Sequence, residues 1–424
     1  MPKLQSIKGA YDLFGSNLNK FNQVKALFRQ YCENYGYHEI ETPVFEDLRV
    51  FKREGDTSDM VNKEMYVLGN DHKMGLRPEG TAGIIRAYVE HKMYVNEAPY
   101  KLFYAEKMYR KERPQKGRQR EFTQIGVENL GPKKAIIDAE TIALGYYFIK
   151  LLGLNDIEVL INTLGDYESR KNYTEALKAY FGHNIECLCD DCKKRLHTNP
   201  LRILDCKVDN QNDVLQKAPK IDEYLTAEAK NYFKEVLSYL DILEIPYKVE
   251  QRLVRGLDYY TDTVFEVVST NDASGAQSTL FGGGRYDNLV EYFEGPATSG
   301  IGFAMGLERL LILMEAEGVI SEDTEEIDTY IIDLTNSNPY VLKVASILRN
   351  NGFKVELNVY DRKLKAQFKS VARLNAKTVI IIGEDEIKEA TVMLKNIETQ
   401  EQIKVNLDEL VDKLEEMVGN DIDE

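Results

Sequence analysis

"YRKERPQKGRQREFTQIGVE", residues 109–128, is the stretch whose reading decides the fold. Arg110, Lys111, Arg113, Lys116, Arg118 and Arg120 crowd its first half against one acid, Glu112, around a Pro-Gln-Lys-Gly turn. On either side, "YKLFYAEKMYR" and "EFTQIGVENLG" read as strands, which makes the basic island the loop of a long hairpin. The strand period of two puts Phe122, Gln124, Gly126 and Glu128 on one face and sends Ile125 and Val127 to a core. An amide, a bare glycine and a carboxylate in a row form a polar floor on which a small ligand could lie. A solvent-facing strand is the plain alternative. Arg110 ends the first strand and is expected near that floor.

The island stands out because the chain of 424 residues carries a formal net charge of −16. Such acidity argues against non-specific coating of nucleic acid, although contact charge need only be concentrated locally. The length exceeds one ordinary core and predicts two or three domains. Hydrophobic residues at 43% and charged residues at 29% are ordinary for a globular chain. The N-terminal residues hold no apolar stretch of signal-peptide length, and no run approaches a membrane span. Five cysteines, an odd number, point to reduced thiols and a cytoplasmic location.

Outward from the hairpin, "SNLNKFNQVKALFRQYCENYG" predicts a helix capped at Ser16, and "YHEIETPVFED" a short strand broken at Pro43. "DAETIALGYYFIKLLGL" reads as a helix and "DIEVLINTLGD" as the strand after it. Residues 168–248 turn helical and polar, as an inserted module would. β-type sequence resumes at "RLVRGLDYYTDTVFEVVS"; "STLFGGGRYDNLVEYF" reads as a glycine turn leading into a helix, and "GIGFAMGLERLLILM" as a strand followed by an apolar helix. The acidic connector "SEDTEEID" at 321–328 marks a boundary. Beyond it, strand runs alternate with helices in the pattern of an α/β domain with a largely parallel sheet.

Several short stretches carry candidate chemistry. "LRPEGT" sets Arg77, Glu79 and Thr81 around a turn, and in "LVRGLDYYT" Arg255 and Asp258 precede Tyr259 and Tyr260. Strand alternation would send those two tyrosines to opposite faces. "FGGGRYDNL" lacks the Gly-Lys-Ser/Thr ending of a Walker A loop, yet its glycines permit close approach of a ligand. Glu308 and Arg309 enter an otherwise apolar helix, where the arginine is either paired or held out for an anion. Cys189-x-x-Cys192, His197 and Cys206 resemble zinc ligands, but without a second close pair the preferred reading is buried reduced thiols.

Taken together these stretches resemble the class II aminoacyl-tRNA synthetases, and among them the histidyl-tRNA synthetase family, over essentially the whole chain. "GYHEIETPVFED" is similar to motif 1, "YRKERPQKGRQREFTQIGVE" to motif 2 and its loop, and "GIGFAMGLERLLILM" to motif 3. "LVRGLDYYT" and "FGGGRYDNLV" are similar to the two histidine-specific signatures. The resemblance implies an α+β catalytic domain at 1–325, with an antiparallel sheet and a mainly helical insert at 168–248. It implies a C-terminal α/β anticodon-binding domain at 327–424. The implied reaction activates L-histidine with ATP and Mg2+, then charges tRNA(His), in a cytoplasmic homodimer built through motif 1 and not bound to membrane.

By the same resemblance, Arg110 would bind the ATP α-phosphate, with Arg113 also facing ATP, and Arg309 the γ-phosphate. Arg255 would supply a further cation at the α-phosphate, where related enzymes use a metal, so no protein-bound metal is expected. Glu79, Thr81 and Gln124 would hold the substrate α-amino group. Glu128 and Tyr260 would engage the imidazole, with Tyr259 nearby. Lys116, Arg118 and Arg120 would meet the tRNA acceptor end, which bears an extra 5′ guanosine. Two positions depart from the family: "KGAYD" at 8–12 replaces Arg-Gly-Thr-x-Asp, and Asn288 stands where glycine is usual. A second reading is a regulatory relative of ATP phosphoribosyltransferase that binds histidine and charges no tRNA. Such chains lack the C-terminal domain and the motif 2 and motif 3 arginines, all retained here.

Overall fold

The structure, a computed structural model, describes residues 3–53, 58–70, 72–96, 98–256, 258–271, 279–320, 326–335, 338–358 and 363–419. Residues 321–325 of the acidic connector lie outside that set. The chain divides into two compact units, Met1–Ser321 and Glu322–Glu424.

The first unit contributes β1 (His38–Glu39), β2 (Phe45–Asp47), β3 (Val67–Leu68), β4 (Met74–Leu76), β5 (Tyr100–Tyr109) and β6 (Glu121–Gly131). β7 (Ile157–Thr163), β8 (Tyr247–Val249), β9 (Thr261–Ser269), β10 (Thr279–Tyr286) and β11 (Ser299–Gly306) follow. Eight of these form one sheet in the order β1-β5-β6-β11-β10-β9-β7-β8. Its six central strands are antiparallel, and the short outer strands β1 and β8 pair parallel to their neighbours. β5 and β6 pair from Tyr100↔Leu130 to Tyr109↔Glu121, which leaves residues 110–120 as the hairpin loop.

One face of this sheet is covered by helices Gly15–Asn34, Ala135–Leu151 and Leu307–Ala316. Phe21, Val24, Phe28 and Cys32, at steps of three and four, bury one stripe of the first helix against that core. That helix begins at Gly15 with Phe14 at its cap, and Ser16 Oγ is buried without a partner, so the expected serine cap is not formed. The sheet's other face, with Gln124 and Glu128, is covered in part by helix Thr81–Glu90, whose Ile84 shares a core with Leu102 and Tyr104 and whose Ile85 and Tyr88 share one with Leu130 and Tyr286.

A buried ion pair ties the layers together. Arg285 on β10 grips Asp138 of helix Ala135–Leu151, and Asp138 also accepts from Thr263 Oγ1 (2.6 Å) on β9 and Tyr232 Oη (3.1 Å). Residues 281–286 are therefore not a turn leading into a helix. They form a central strand whose small residues let the adjacent backbones and side chains close over them.

Between β7 and β8 the chain is helical, with Tyr167–His183, Asp190–Thr198 and Ala227–Ile242 as the longest pieces. In the second unit β12 (Ile327–Asp333), β13 (Val355–Leu357), β14 (Ala376–Ile382), β15 (Thr391–Asn396) and β16 (Gln402–Asn406) form a sheet in the order β13-β12-β14-β15-β16. Its first three strands are parallel and the last two antiparallel, so it is mixed rather than largely parallel. The β15–β16 connection is a short turn, which only an antiparallel pair can use.

Candidate active site

A cleft of about 460 Å³ opens on this second face of the first unit's sheet, a size that suits a small molecule; Gln124 lines it, whereas Glu128 is buried behind the lining. Its floor comes from β6, β10 and β11. Phe122, Gln124 and Glu128 lie on one side of β6, and Ile125 and Val127 are fully buried in the core behind it. A Cβ on Gly302 of β11 would overlap the Glu128 carboxylate, so this glycine makes the room that the carboxylate occupies.

Around Glu128 the surroundings are polar and buried. Thr81 Oγ1 donates to its Oε1 at 2.6 Å, and Tyr286 Oη donates a short hydrogen bond to its Oε2. Burial pushes the Glu128 carboxyl up to about 8, against the opposing pull of those two hydroxyls. Glu79 accepts from the backbone amides of Thr81 (2.7 Å) and Ala82 (2.9 Å), the first donors of helix Thr81–Glu90. Its carboxyl is also raised, chiefly by burial. Behind that turn Arg77 donates to Glu106 Oε1 (2.5 Å), Thr42 O (2.6 Å) and Lys107 O (2.7 Å), which makes it a structural strut.

Several polar atoms on the walls are buried without a partner: Gln124 Oε1, Tyr104 Oη and Tyr259 Oη. Buried donors and acceptors left unmade cost free energy, and a cleft where they collect is built to complete them with a ligand. Tyr259 and Tyr260 do not alternate across a strand. The loop before β9 brings both rings to the cleft, with centroids 4.8 Å apart.

The other half of the cleft gathers five arginines, Arg110, Arg118, Arg202, Arg255 and Arg309, among several carboxylates. Arg110 donates from Nε to Pro78 O (2.9 Å) and stacks over the Phe122 ring at 5.0 Å. Arg255 pairs with Glu266 and lies across β10, where a Cβ on Gly282 would sit 2.7 Å from its guanidinium. Arg309 donates to Thr279 O (2.8 Å), while its Nε is buried without a partner. Burial, and then the neighbouring Arg118 charge, depress the Arg309 guanidinium. Cations that penalise one another in this way are stabilised by an anion between them.

The loop divides differently from the expectation. Arg118 lines the cleft and pairs with Glu112 at 3.6 Å, whereas Arg113 is exposed and outside the lining. Lys116 is exposed at the tip. Arg120 turns back, donating to Glu112 O (3.2 Å) and Lys8 O (3.3 Å), so it fastens the loop to the N-terminal segment. That segment braces motif 3 as well, because Tyr11 Oη donates to Glu308 Oε1 at 2.8 Å and Glu308 accepts from Thr123 N at 2.8 Å. The departure at residues 8–12 thus keeps a bracing role through Tyr11. Asn288 begins a short helical turn at φ −112°, a conformation that needs no glycine.

Sequence reasoning missed Tyr286, Tyr104, Arg202 and Asp205, all on the cleft wall. Tyr286 was legible: read as a strand, Gly282, Gly284 and Tyr286 share a face. Arg202 and Asp205 come from the insert and carry no local signal. In the insert, Cys189, Cys192 and Cys206 converge with Asp209, while His197 is exposed and outside the group.

Known proteins resemble the chain throughout. Residues 9–310 match the family model described as histidyl-tRNA synthetase, and residues 328–417 that of an anticodon binding domain. A histidine–tRNA ligase from Listeria innocua serovar 6a is 44% identical over 418 residues, 97% of this chain and 98% of that protein. One from Geobacillus sp. (strain WCH70) is 45% identical over 417 residues, 97% and 99% of the two chains. The crystal structure of apo S. aureus histidyl-tRNA synthetase superposes with a TM-score of 0.82 at 38% identity, covering 97% of this chain and 100% of that one. A Bacillus halodurans C structure titled as an ATP phosphoribosyltransferase regulatory subunit/histidyl-tRNA synthetase shares the fold, with a TM-score of 0.61 at 22% identity, covering 90% and 99%.

Proposed function

Because the chain belongs to the histidyl-tRNA synthetase family and is an ATP-dependent histidine–tRNA ligase, we propose that both half-reactions take place in the cleft over β6, β10 and β11. The observation that carries this placement is the joining, in one cavity, of a polar pocket lined by Glu79, Thr81, Gln124, Tyr259, Tyr260 and Tyr286, with Glu128 buried behind Thr81 and Tyr286, to the arginines Arg110, Arg118, Arg255 and Arg309, the first two of which share the Glu112 carboxylate.

In the first step the histidine carboxylate attacks the α-phosphorus of ATP and expels pyrophosphate, leaving histidyl-adenylate. Negative charge grows on phosphate oxygens that Arg110 and Arg255 meet at the α-phosphate and Arg309 at the γ-phosphate. Fixed guanidiniums stabilise that charge with little reorganisation, and their planar forks grip two oxygens. Arg118, which lines the cleft and whose charge bears on Arg309, would meet the same polyphosphate. ATP enters as its Mg2+ complex, so the metal arrives with the substrate and shields phosphate charge.

Glu128 and Tyr260, with Tyr259 and Tyr286 beside them, take the imidazole. Glu79, Thr81 and Gln124 take the α-amino group. Thr81 Oγ1 reaches both pockets, since it already donates to Glu128. An apolar side chain would leave these buried groups unpaired, and discrimination of about 10⁴–10⁵ then needs no editing. In the second step a hydroxyl of the 3′-terminal ribose attacks the acyl-adenylate and releases AMP.

We assign residues 1–325 to the catalytic domain, interrupted by the insert at 168–248, and residues 327–424 to anticodon reading. The acceptor end of tRNA(His) would lie over the hairpin loop at Lys116. A cytoplasmic homodimer formed through the motif 1 segment completes the reading; among the described residues no helix is long and apolar enough to cross a membrane. ATP–pyrophosphate exchange tests the site, supplying each amino acid in turn with Mg2+. Exchange with histidine alone, stopped by EDTA, is expected. Histidine binding without exchange would move the protein to the regulatory reading.

A further inference from the structure

The adenylation chemistry leaves one cluster unused. Cys189 immediately precedes helix Asp190–Thr198, and Cys192 lies in its first turn. Cys206 and Asp209 follow the 3₁₀ segment Pro200–Ile203. One ligand atom from each of the four lies within 4.8 Å of all the others.

Cys189 Sγ and Cys206 Sγ are 3.7 Å apart. A disulfide would need about 2.05 Å. Two thiolates at about 2.3 Å from one tetrahedral zinc stand about 3.8 Å from each other. The observed spacing matches the edge of a zinc tetrahedron and is far too long for a disulfide. The backbone supports the same arrangement: Cys189 N donates to Asp209 Oδ2 at 3.0 Å, and Asp209 N points at Cys206 Sγ at 3.4 Å. The first contact fixes the carboxylate, and the second favours a sulfur that carries negative charge. Cys192, Cys206 and Asp209 are all buried.

We infer that Cys189, Cys192, Cys206 and Asp209 form a four-ligand site for one structural Zn2+. Three sulfurs select a thiophilic cation over Mg2+ or Ca2+, and a full protein ligand set leaves no open position for catalysis. The segment between Cys192 and Cys206 is the one that reaches the cleft. Asn199 Nδ2 donates to Asp258 Oδ1 (2.9 Å) and Arg202 donates to Arg255 O (2.9 Å). The metal would close this segment at its base and hold Arg202 against the loop that carries Arg255.

The test is metal content of the purified full chain, reconstituted with Zn2+ under reducing conditions and measured by plasma mass spectrometry after desalting. About one zinc per chain is expected, retained in His197→Ala and Cys187→Ser. Cys192→Ser and Cys206→Ser should each lower zinc at least tenfold. Titration of the unmodified protein with Co2+ needs no variant: intense tetrahedral d–d bands with thiolate charge transfer are expected, and Zn2+ should bleach them. The inference is overturned if the reconstituted chain holds less than a tenth of an equivalent of zinc and Co2+ gives only weak octahedral bands. It is overturned equally if Cys192→Ser, still folded by circular dichroism, keeps its zinc.

Discussion

Glu128 is the residue proposed to select the substrate ring, and its carboxyl is buried behind the cleft wall and raised to about 8 by desolvation. Over the interval between its ordinary value near 4.5 and about 8, the folded protein binds a proton that the unfolded chain does not. Its contribution to stability is therefore complete below about pH 4–5 and is lost as pH rises towards 8. Urea denaturation of the ligand-free protein should show stability falling across that window, by up to a few kcal/mol from this group. Glu128→Gln should flatten the fall and leave a smaller slope from Glu79, which is raised in the same direction. A wild-type slope unchanged in the variant would mean that Glu128 is ionised throughout. Arg255 makes the opposite case, a cation whose partner Glu266 also accepts from Thr279 Oγ1 at 3.0 Å and so is not stranded by its loss. Arg255→Ala should lower histidine-dependent pyrophosphate exchange by about 10²–10³-fold or more. Its unfolding midpoint should move little, and loss of cooperative unfolding would show Arg255 to be structural.

At the scale of the element, the hairpin loop is two surfaces in one. Arg118 faces the cleft with Glu112, Lys116 is exposed at the tip, and Arg120 is bound to the backbone carbonyls of Glu112 across the loop and Lys8 in the N-terminal segment. Steady-state kinetics should separate them. Arg118→Gln is expected to raise KM for ATP in the exchange reaction several-fold and Arg113→Gln to change it less than twofold. Lys116→Ala should leave exchange intact while raising KM for tRNA in aminoacylation. Equal effects of Arg113 and Arg118 on ATP would mean that the loop closes differently over substrate. β10 shows the same economy: its glycines accept Arg255 on the cleft side, and its Arg285 anchors the layer beneath through Asp138. Reading "FGGGRYDNL" as a turn hid both functions, because glycine content marks close approach as readily as it marks a bend.

Across the whole molecule, the two units have separate apolar cores, one built from residues before 321 and one from residues after 326. A chain ending at residue 321 should therefore fold and retain histidine-dependent pyrophosphate exchange within a few-fold, while tRNA charging falls at least tenfold. Loss of exchange in a truncated chain that still binds histidine would show that the C-terminal unit supports adenylation itself. The sequence determined the central hairpin, the core helices and the boundary near 321, since each rests on local periodicity or composition. It also carried the cleft residues that lie on one strand face or in one turn, Gln124 on β6, with Glu128 on the same face but buried behind the lining, and Glu79 and Thr81 at a helix start. The tertiary structure decided the rest. It placed Tyr259 and Tyr260 together in a loop, exchanged Arg118 for Arg113 in the cleft, brought Arg202 from the insert and replaced His197 by Asp209 beside the thiols. The reason is physical: periodicity records which way a side chain leaves its own backbone, whereas a site is made where segments far apart in the chain meet, and no local pattern encodes that meeting.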